Sequence, residues 1–301
     1  MDQLGTPQYL LNITKSFLKN RYFAVRINSS LSKTFEINAG VPQGSCLSPL
    51  LFSVYMSDLP QLNNSETALY ADDTALFTSH NDINYAYDNI QSHLNRFTKW
   101  TENWKIKINS SKTQAKIFTL RKHPQPPLLC IQNTNLQWVN RDTPAKYLGV
   151  LLDTKLNWKQ QIKSIADKAY AKTYKLYPII NKKSALSIDC GLVVYKALIL
   201  PTLTYACPIW NSAARTNFNK LEIVQNKFLR RIIKAPWFVS NNQIQHELDI
   251  PPIKEYINHL AQTFFSSLPQ SPSTSIFKLG KSYTTPRRIK SRYPKDSLKP
   301  P

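Results

Sequence analysis

At 301 residues and 42% hydrophobic content the chain can bury a sizeable core, and its patterning divides into two globular parts. Thirty-nine Lys and Arg against eighteen Asp and Glu leave a formal charge of +21, a field that draws polyanions and makes their binding salt-dependent. No stretch approaches the roughly 18 consecutive apolar residues of a membrane span and the N-terminus lacks a signal-peptide layout, which argues against membrane spanning and secretion and places the chain inside the cell, in nucleus or cytoplasm.

In chain order, residues 7–20 read as a helix, followed by a hairpin of residues 22–28 and 33–38 with Asn28-Ser29-Ser30 near its turn. Gly40-Val41-Pro42-Gln43-Gly44-Ser45 comes next, with two of only six glycines bracketing Val-Pro-Gln, a tight turn whose backbone can approach a nucleotide or template. Ser48 as N-cap and Pro49 at the first helical position then open an apolar helix, and a loop ending on a helix N-terminus favours phosphate. Taken alone, the same segment reads more simply as a plain helix entry.

Thr67-Ala68-Leu69-Tyr70 and Thr74-Ala75-Leu76-Phe77 are β-prone arms of similar composition, so Ala71-Asp72-Asp73 falls at or beside the reversal of a hairpin. Adjacent carboxylates repel unless something cationic lies opposite. Mg²⁺, a hard ion taking carboxylate, water and phosphate oxygens, resolves that conflict, and Mn²⁺ accepts the same donors. The plainer alternative is a polar turn.

After Asn81, read as an N-cap, Ile83, Tyr87, Ile90, Leu94, Phe97 and Trp104 recur at helical spacing and are expected to be core. Residues 105–108 then alternate with period two, Asn109-Ser110-Ser111 turns, and residues 114–118 return as a partner strand. From Asn157 the pattern is helical. Trp158, Ile162, Ile165, Ala169 and Thr173 form one stripe and Phe218, Leu221, Gln225, Phe228 and Ile232 another, while Lys155, Lys159, Lys163, Lys168, Lys172 and Lys175 spread around the outside of the first. Residues 270–301 hold eight Lys or Arg and one acid and are expected to form a flexible basic tail. Cys46, Cys130, Cys190 and Cys207 lack metal-ligand spacing and read as reduced thiols. Helices set against a largely antiparallel sheet make the fold class α+β.

Together, GVPQGSCLSPLLFSVYMSDLP (residues 40–60) and ALYADDTALF (residues 68–77) resemble the substrate-binding block and catalytic hairpin of reverse transcriptases from non-LTR retrotransposons of the insect jockey-like type. Trp104-Lys105-Ile106-Lys107-Ile108-Asn109-Ser110-Ser111-Lys112-Thr113 and Lys146-Tyr147-Leu148-Gly149-Val150-Leu151 match two further blocks in the family's order, and the resemblance runs over residues 4–265. It implies RNA-directed DNA polymerisation with an RNA template, a DNA primer, deoxynucleoside triphosphates and Mg²⁺ as cofactor. Asp72 and Asp73 would be the catalytic metal ligands, and Pro42, Gln43, Gly44 and Ser45 would contact nucleotide and template. Lys112 would protonate departing pyrophosphate, or be only a solvated charge; Tyr147, Leu148 and Gly149 would grip the primer, or be only a packed hairpin.

The implied architecture is a partial right-hand palm with a ferredoxin-like sheet over residues 1–155, a helical thumb or post-thumb region over 156–268 that holds the product duplex, and the tail over 269–301. The family's centre uses a third carboxylate on an upstream strand. Asp2 follows only Met1 and residues 4–10 already match the helix after that strand, so the expectation is a chain that starts past it, together with missing fingers and endonuclease. Two readings follow: a polymerase piece working with an upstream segment, or a catalytically inactive RNA-binding remnant.

Overall fold

The computed structural model describes residues 5–121, 124, 126–181 and 183–268, and the basic tail expected over 269–301 lies outside them. Among these the chain divides into two compact units: residues 5–113 together with 124 and 126–137, and residues 114–121 together with 138–181 and 183–268. Helices and short antiparallel sheets make the class α+β.

The first unit opens with α1 (Gln8–Leu18), none of whose residues is buried. A broken hairpin follows, in which β1 (Arg21–Phe23) pairs with β4 (Phe35–Ile37) and β2 (Arg26–Ile27) with β3 (Ser30–Leu31). Asn28 supplies the left-handed residue of its turn at φ 55°, a conformation Asn tolerates better than most side chains. Helix α2 (Ser48–Tyr55), the hairpin β5 (Glu66–Tyr70) and β6 (Asp73–Phe77), helix α3 (Ile83–Asn103) and a further hairpin β7 (Leu129–Ile131) and β8 (Thr134–Leu136) complete the unit.

Its core lies where α3 meets these strands: Leu94, Phe97, Trp100, Leu129, Ile131 and Leu136 are buried, whereas Ile83, Tyr87 and Ile90 are only half-buried and Trp104 is 40% exposed. The Gln91 side-chain amide donates to the Cys130 carbonyl at 2.9 Å and accepts from its N–H at 2.8 Å, satisfying one edge of β7.

Three expectations need correction. The N-cap of α3 is Asp82, not Asn81, because it is the Asp82 carboxylate that accepts from Asn84 N–H at 2.8 Å. No strand forms over 105–108: the Ile106 N–H turns back to the Thr101 carbonyl at 2.8 Å and Lys105 N–H to Glu102 at 3.2 Å, with Lys105 at φ 55°. That is a Schellman cap, and it spends the amides a strand would need. Residues 114–118 form no strand pair either, since Ala115 makes only an isolated parallel bridge to Trp138. Consequently the ferredoxin-like sheet is not seen; among the described residues all strands pair as separate two-stranded antiparallel ladders.

The second unit carries the larger core. Here β9 (Ala145–Tyr147) pairs with β10 (Val150–Leu152), and helices α4 (Lys159–Lys175), α5 (Tyr177–Ile180), α6 (Ile188–Val194), a π-helical turn (Tyr195–Ile199), α7 (Leu200–Thr204), α8 (Cys207–Trp210), α9 (Arg215–Ile232), α10 (Asn241–Glu247) and α11 (Ile253–Ser267) follow. Every member of both predicted stripes is buried, from Trp158 to Thr173 on α4 and from Phe218 to Ile232 on α9. The six lysines from Lys155 to Lys175 are all exposed, as expected, and Lys172 also donates to the Thr202 hydroxyl at 2.8 Å. All four cysteines are free thiols, and burial pushes the Cys207 thiol up to about 11.

Asp153 organises the entry to α4, accepting from the N–H groups of Lys155, Asn157 and Trp158 at 3.0, 2.9 and 2.8 Å. Lys116 acts similarly with its ammonium, donating to the carbonyls of Asn140, Arg141 and Thr143 at 2.6, 3.2 and 2.7 Å.

Helix α6 crosses α9 at Gly191, where an added Cβ would stand 2.5 Å from the Ile232 Cγ2 of a buried side chain. Gly191→Ala is therefore expected to destabilise the unit by about 1–3 kcal/mol through overpacking, despite alanine's better helix propensity. A urea midpoint equal to or above that of the unmodified chain would show that the helices part without cost.

Candidate active site

The β5–β6 hairpin forms because its arms are matched in composition and length, and Tyr70 pairs with Asp73 across a two-residue reversal of Ala71 and Asp72. Ala71 takes the left-handed conformation at φ 52°, the twist such a turn demands. Alternation places Thr67, Leu69, Thr74 and Leu76 on one face and Ala68, Tyr70, Asp73 and Ala75 on the other. Asp72 and Asp73 are both exposed, and small alanines flank the face that carries Asp73.

Behind the hairpin, His93 of α3 is fully buried and ties it down. Its Nδ1 lies 2.7 Å from the Ser65 hydroxyl and its Nε2 3.0 Å from the Pro60 carbonyl, with Thr67 Oγ1 at 3.4 Å. The carbonyl can only accept, so Nε2 carries the proton and Nδ1 accepts from Ser65 in a neutral ring. Burial, with a smaller contribution from Arg96, lowers the His93 pKa below its ordinary 6.5.

A second clamp lies at the C-terminal end of the helix, where the two Asp58 oxygens accept from the indole N–H groups of Trp100 and Trp104 at 3.0 and 3.1 Å. Neither residue was singled out from sequence; Asp58 stood inside the block after α2, and His93 one position from the apolar stripe.

The His93 shift has a definite sign. Below the ordinary value of 6.5 the unfolded chain takes up a proton that the native ring resists, so this contribution to stability is complete above that pH and is lost as pH falls through the lower native value. Urea midpoints measured from pH 8 down to pH 5 are expected to fall more steeply for the unmodified chain than for His93→Gln. Parallel curves would mean the ring is not held neutral.

The 40–45 turn is built as its glycines suggest. Gly40 and Gly44 adopt φ 75° and 89°, and no atom lies within 4 Å of where a Cβ would stand on either, so backbone geometry and not crowding demands glycine there. Arg21, unnoticed in the sequence, anchors the entry by donating to the Gly40 carbonyl at 2.7 Å and the Leu18 carbonyl at 3.0 Å. Ser48 does not cap α2 as expected. It is the first helical residue, and its hydroxyl donates back to the Pro42 carbonyl at 2.5 Å, bracing the turn from below while Leu47 takes the N-cap position. Pro42 and Ser45 are half-buried, and Gln43 and Gly44 are exposed.

Lys112 is exposed within a turn closed by its own N–H and that of Thr113 to the Asn109 carbonyl, each at 3.1 Å. It shares the first unit with Asp72, Asp73 and the 40–45 turn, yet among the described residues no hydrogen bond or ion pair links these three groups. Nor, among the described residues, do three or more His, Cys, Asp or Glu side chains converge on a metal-sized site. What Asp72 and Asp73 offer is a pair of adjacent, exposed oxygen donors at a hairpin tip, which suits a hard divalent ion completing its shell with water and phosphate.

Tyr147, Leu148 and Gly149 belong to the second unit. Leu148 and Gly149 at φ 45° and 78° form the left-handed turn between β9 and β10. The Tyr205 hydroxyl donates to the Leu148 carbonyl at 2.8 Å, and its ring lies 3.3 Å from where a Gly149 Cβ would stand. Tyr205 thus fixes the tip from a helical segment more than fifty residues away, a contact with no local signal.

Residues 1–152, which include the acidic hairpin, the 40–45 turn and Lys112, match the family described as reverse transcriptase (RNA-dependent DNA polymerase). The chain belongs to the reverse transcriptase family. It is 34% identical over 297 residues to a protein named probable RNA-directed DNA polymerase from transposon X-element of Drosophila melanogaster, covering 97% of this chain and 32% of that protein. The RNA-directed DNA polymerase from mobile element jockey of the same fly is 32% identical over 96% of this chain and 33% of its own length. A probable RNA-directed DNA polymerase from transposon BS is 34% identical over 84% of this chain and 28% of its own. The chain therefore spans about a third of the length of these relatives, and its likeness to them is that of the jockey-like branch of the reverse transcriptase family. No helix among the described residues of this reverse transcriptase chain is long and apolar enough to cross a membrane.

Proposed function

We propose that the chain is the nucleotidyl-transfer part of an RNA-directed DNA polymerase that adds deoxynucleotides to a primer 3′ end on an RNA template. The observation that carries this reading is the exposed Asp72–Asp73 pair on a hairpin clamped from behind by His93, within the stretch that matches the family. Asp72 and Asp73 would hold Mg²⁺, or Mn²⁺ in its place. Divalent ions bound there supply positive charge to the attacking 3′-oxygen and the leaving pyrophosphate.

The chain's own groups would do the rest. The open backbone at Gly44 and the exposed Gln43 admit the incoming nucleotide and its template base, held in place by the Pro42 and Ser45 flanks. Lys112 donates a proton to the departing pyrophosphate, help typically worth roughly 10²-fold or more. Tyr147, Leu148 and Gly149 steady the primer from the tip that Tyr205 holds. Residues 1–155 serve as the palm and residues 156–268 as thumb, and the setting is intracellular.

A second reading, an inactive RNA-binding remnant, draws on the chain's formal charge of +21, which favours RNA binding whether or not nucleotides are joined. Mg²⁺-dependent extension of a DNA primer on RNA separates the two. Extension that Asp72→Asn abolishes, with RNA affinity kept, supports the polymerase. RNA binding without extension by either chain supports the remnant.

A further inference from the structure

On the second unit, α4 and α9 pack so that a cleft of about 490 Å³ opens between them, lined by Tyr170, Thr173, Tyr174, Tyr177, Lys227 and Arg231 over a floor of Val224. The spacing is helical on both walls: the tyrosines recur at i, i+4 and i+7 from α4 into α5, and Lys227 and Arg231 stand four apart on α9. The Lys227 ammonium sits 5.4 Å from the centre of the Tyr170 ring, and the Arg231 guanidinium carbon 5.6 Å from that of Tyr177. Tyr174, between them, is 81% exposed. Among the described residues no carboxylate lines the cleft.

We propose that this cleft binds an unpaired nucleic-acid strand, stacking bases on Tyr174 and its neighbours while Lys227 and Arg231 take the phosphates. Three features select that occupant. Aromatic faces and cations alternate, the combination that grips a strand whose bases are splayed out, whereas a base-paired helix presents its bases stacked and its phosphates outermost. The two cations are already stacked on flanking rings, which fixes their heads at the cleft walls and lets Tyr174 stay open. Finally, this chain's own tail cannot be the guest on charge grounds, with eight Lys or Arg against one acid in residues 270–301. Apart from Thr173, which is buried and donates to the Ala169 carbonyl at 2.8 Å, the lining polar groups reach solvent.

The inference rests on nucleic acid as the chain's partner but not on catalysis. None of the cleft residues belongs to the acidic hairpin's unit, so it stands whether or not the chain extends primers. It also says which substrate form is held: a strand before or beside pairing.

The test is fluorescence anisotropy of labelled 12-nucleotide single-stranded RNA, single-stranded DNA and the corresponding hybrid duplex with the full chain, across a salt series. Tyr174→Ala is expected to weaken single-strand binding about tenfold with the salt slope unchanged and duplex binding untouched. Lys227→Gln with Arg231→Gln should lower the slope of log K against log salt by about 1.4, at roughly 0.7 per phosphate contact. Loss on RNA alone or on both single strands supports the cleft and names its source. Unchanged single-strand affinity in Tyr174→Ala, equal losses on the duplex, or competition by polyglutamate as strong as by the oligonucleotide would overturn it. Circular dichroism melts of each variant confirm that the fold is intact, and primer extension by Tyr174→Ala separates this result from failure of the polymerase reading.

Discussion

Asp72→Asn is expected to reduce Mg²⁺-dependent primer extension by about 10³-fold or more while leaving RNA affinity unchanged or slightly higher. The substitution keeps shape and removes one negative charge at the exposed tip of β5–β6. The fold should tolerate it, since the hairpin is held by its ladder and by His93 and not by the carboxylate. Metal-borne charge stabilisation in phosphoryl transfer is worth several kcal/mol, and about 4 kcal/mol corresponds to the stated factor. Asp73→Asn should act in the same direction, and Lys112→Ala about tenfold less severely. Single-turnover extension on an RNA template measures the effect. A loss below tenfold would remove both aspartates from the metal centre, and Mn²⁺ restoring part of the lost rate would mark the defect as one of metal binding.

Gln225→Leu is expected to cost about 3–5 kcal/mol, a large share of the roughly 5–15 kcal/mol by which a domain is stable. The side chain is 1% exposed in the middle of the α9 stripe, so by position it looks like a leucine site. Its amide nevertheless serves three partners: Nε2 donates to the Tyr195 hydroxyl at 2.9 Å and the Pro251 carbonyl at 3.0 Å, and Oε1 accepts from Ile253 N–H at 2.8 Å. Those contacts join α9, the π-helical turn and the start of α11, and burial pushes the Tyr195 hydroxyl up to about 12, keeping it protonated at any working pH. Leucine would fill the volume and strand a buried N–H and a carbonyl, each costing about 1–3 kcal/mol. Urea denaturation followed by circular dichroism gives the number. A change under about 1 kcal/mol would show that water reaches the pair after rearrangement.

Much of this molecule is legible locally. The stripes of α4 and α9 could be read because a 3.6-residue period puts every fourth side chain on one face, and each named member is buried. The acidic hairpin could be read because its two arms and reversal lie within twelve residues, from Glu66 to Phe77. The glycines at 40 and 44 announced their left-handed backbone. The hairpin β7–β8 passed unnoticed even though Asn133 marks its turn, because Gln132 beside it, at φ 45°, carries no such mark.

What failed locally failed for competing reasons. Residues 105–108 alternate as a strand should, but the helix before them needed its last carbonyls satisfied, and a lysine took the left-handed cap position normally left to glycine. Ser48 has the identity of a cap yet spends its hydroxyl on Pro42.

Composition and periodicity by themselves determined that the chain is α+β, basic, and armed with two adjacent carboxylates at a turn. The tertiary structure alone decided which polar groups are structural and which are available. Arg21 found Gly40, His93 found Ser65 and Pro60, Tyr205 found Leu148 and Gln225 found Ile253 across gaps that no window of sequence spans. The tyrosines and cations of the α4–α9 cleft likewise share a surface only because two apolar stripes, far apart in the chain, bury each other and carry their flanks together.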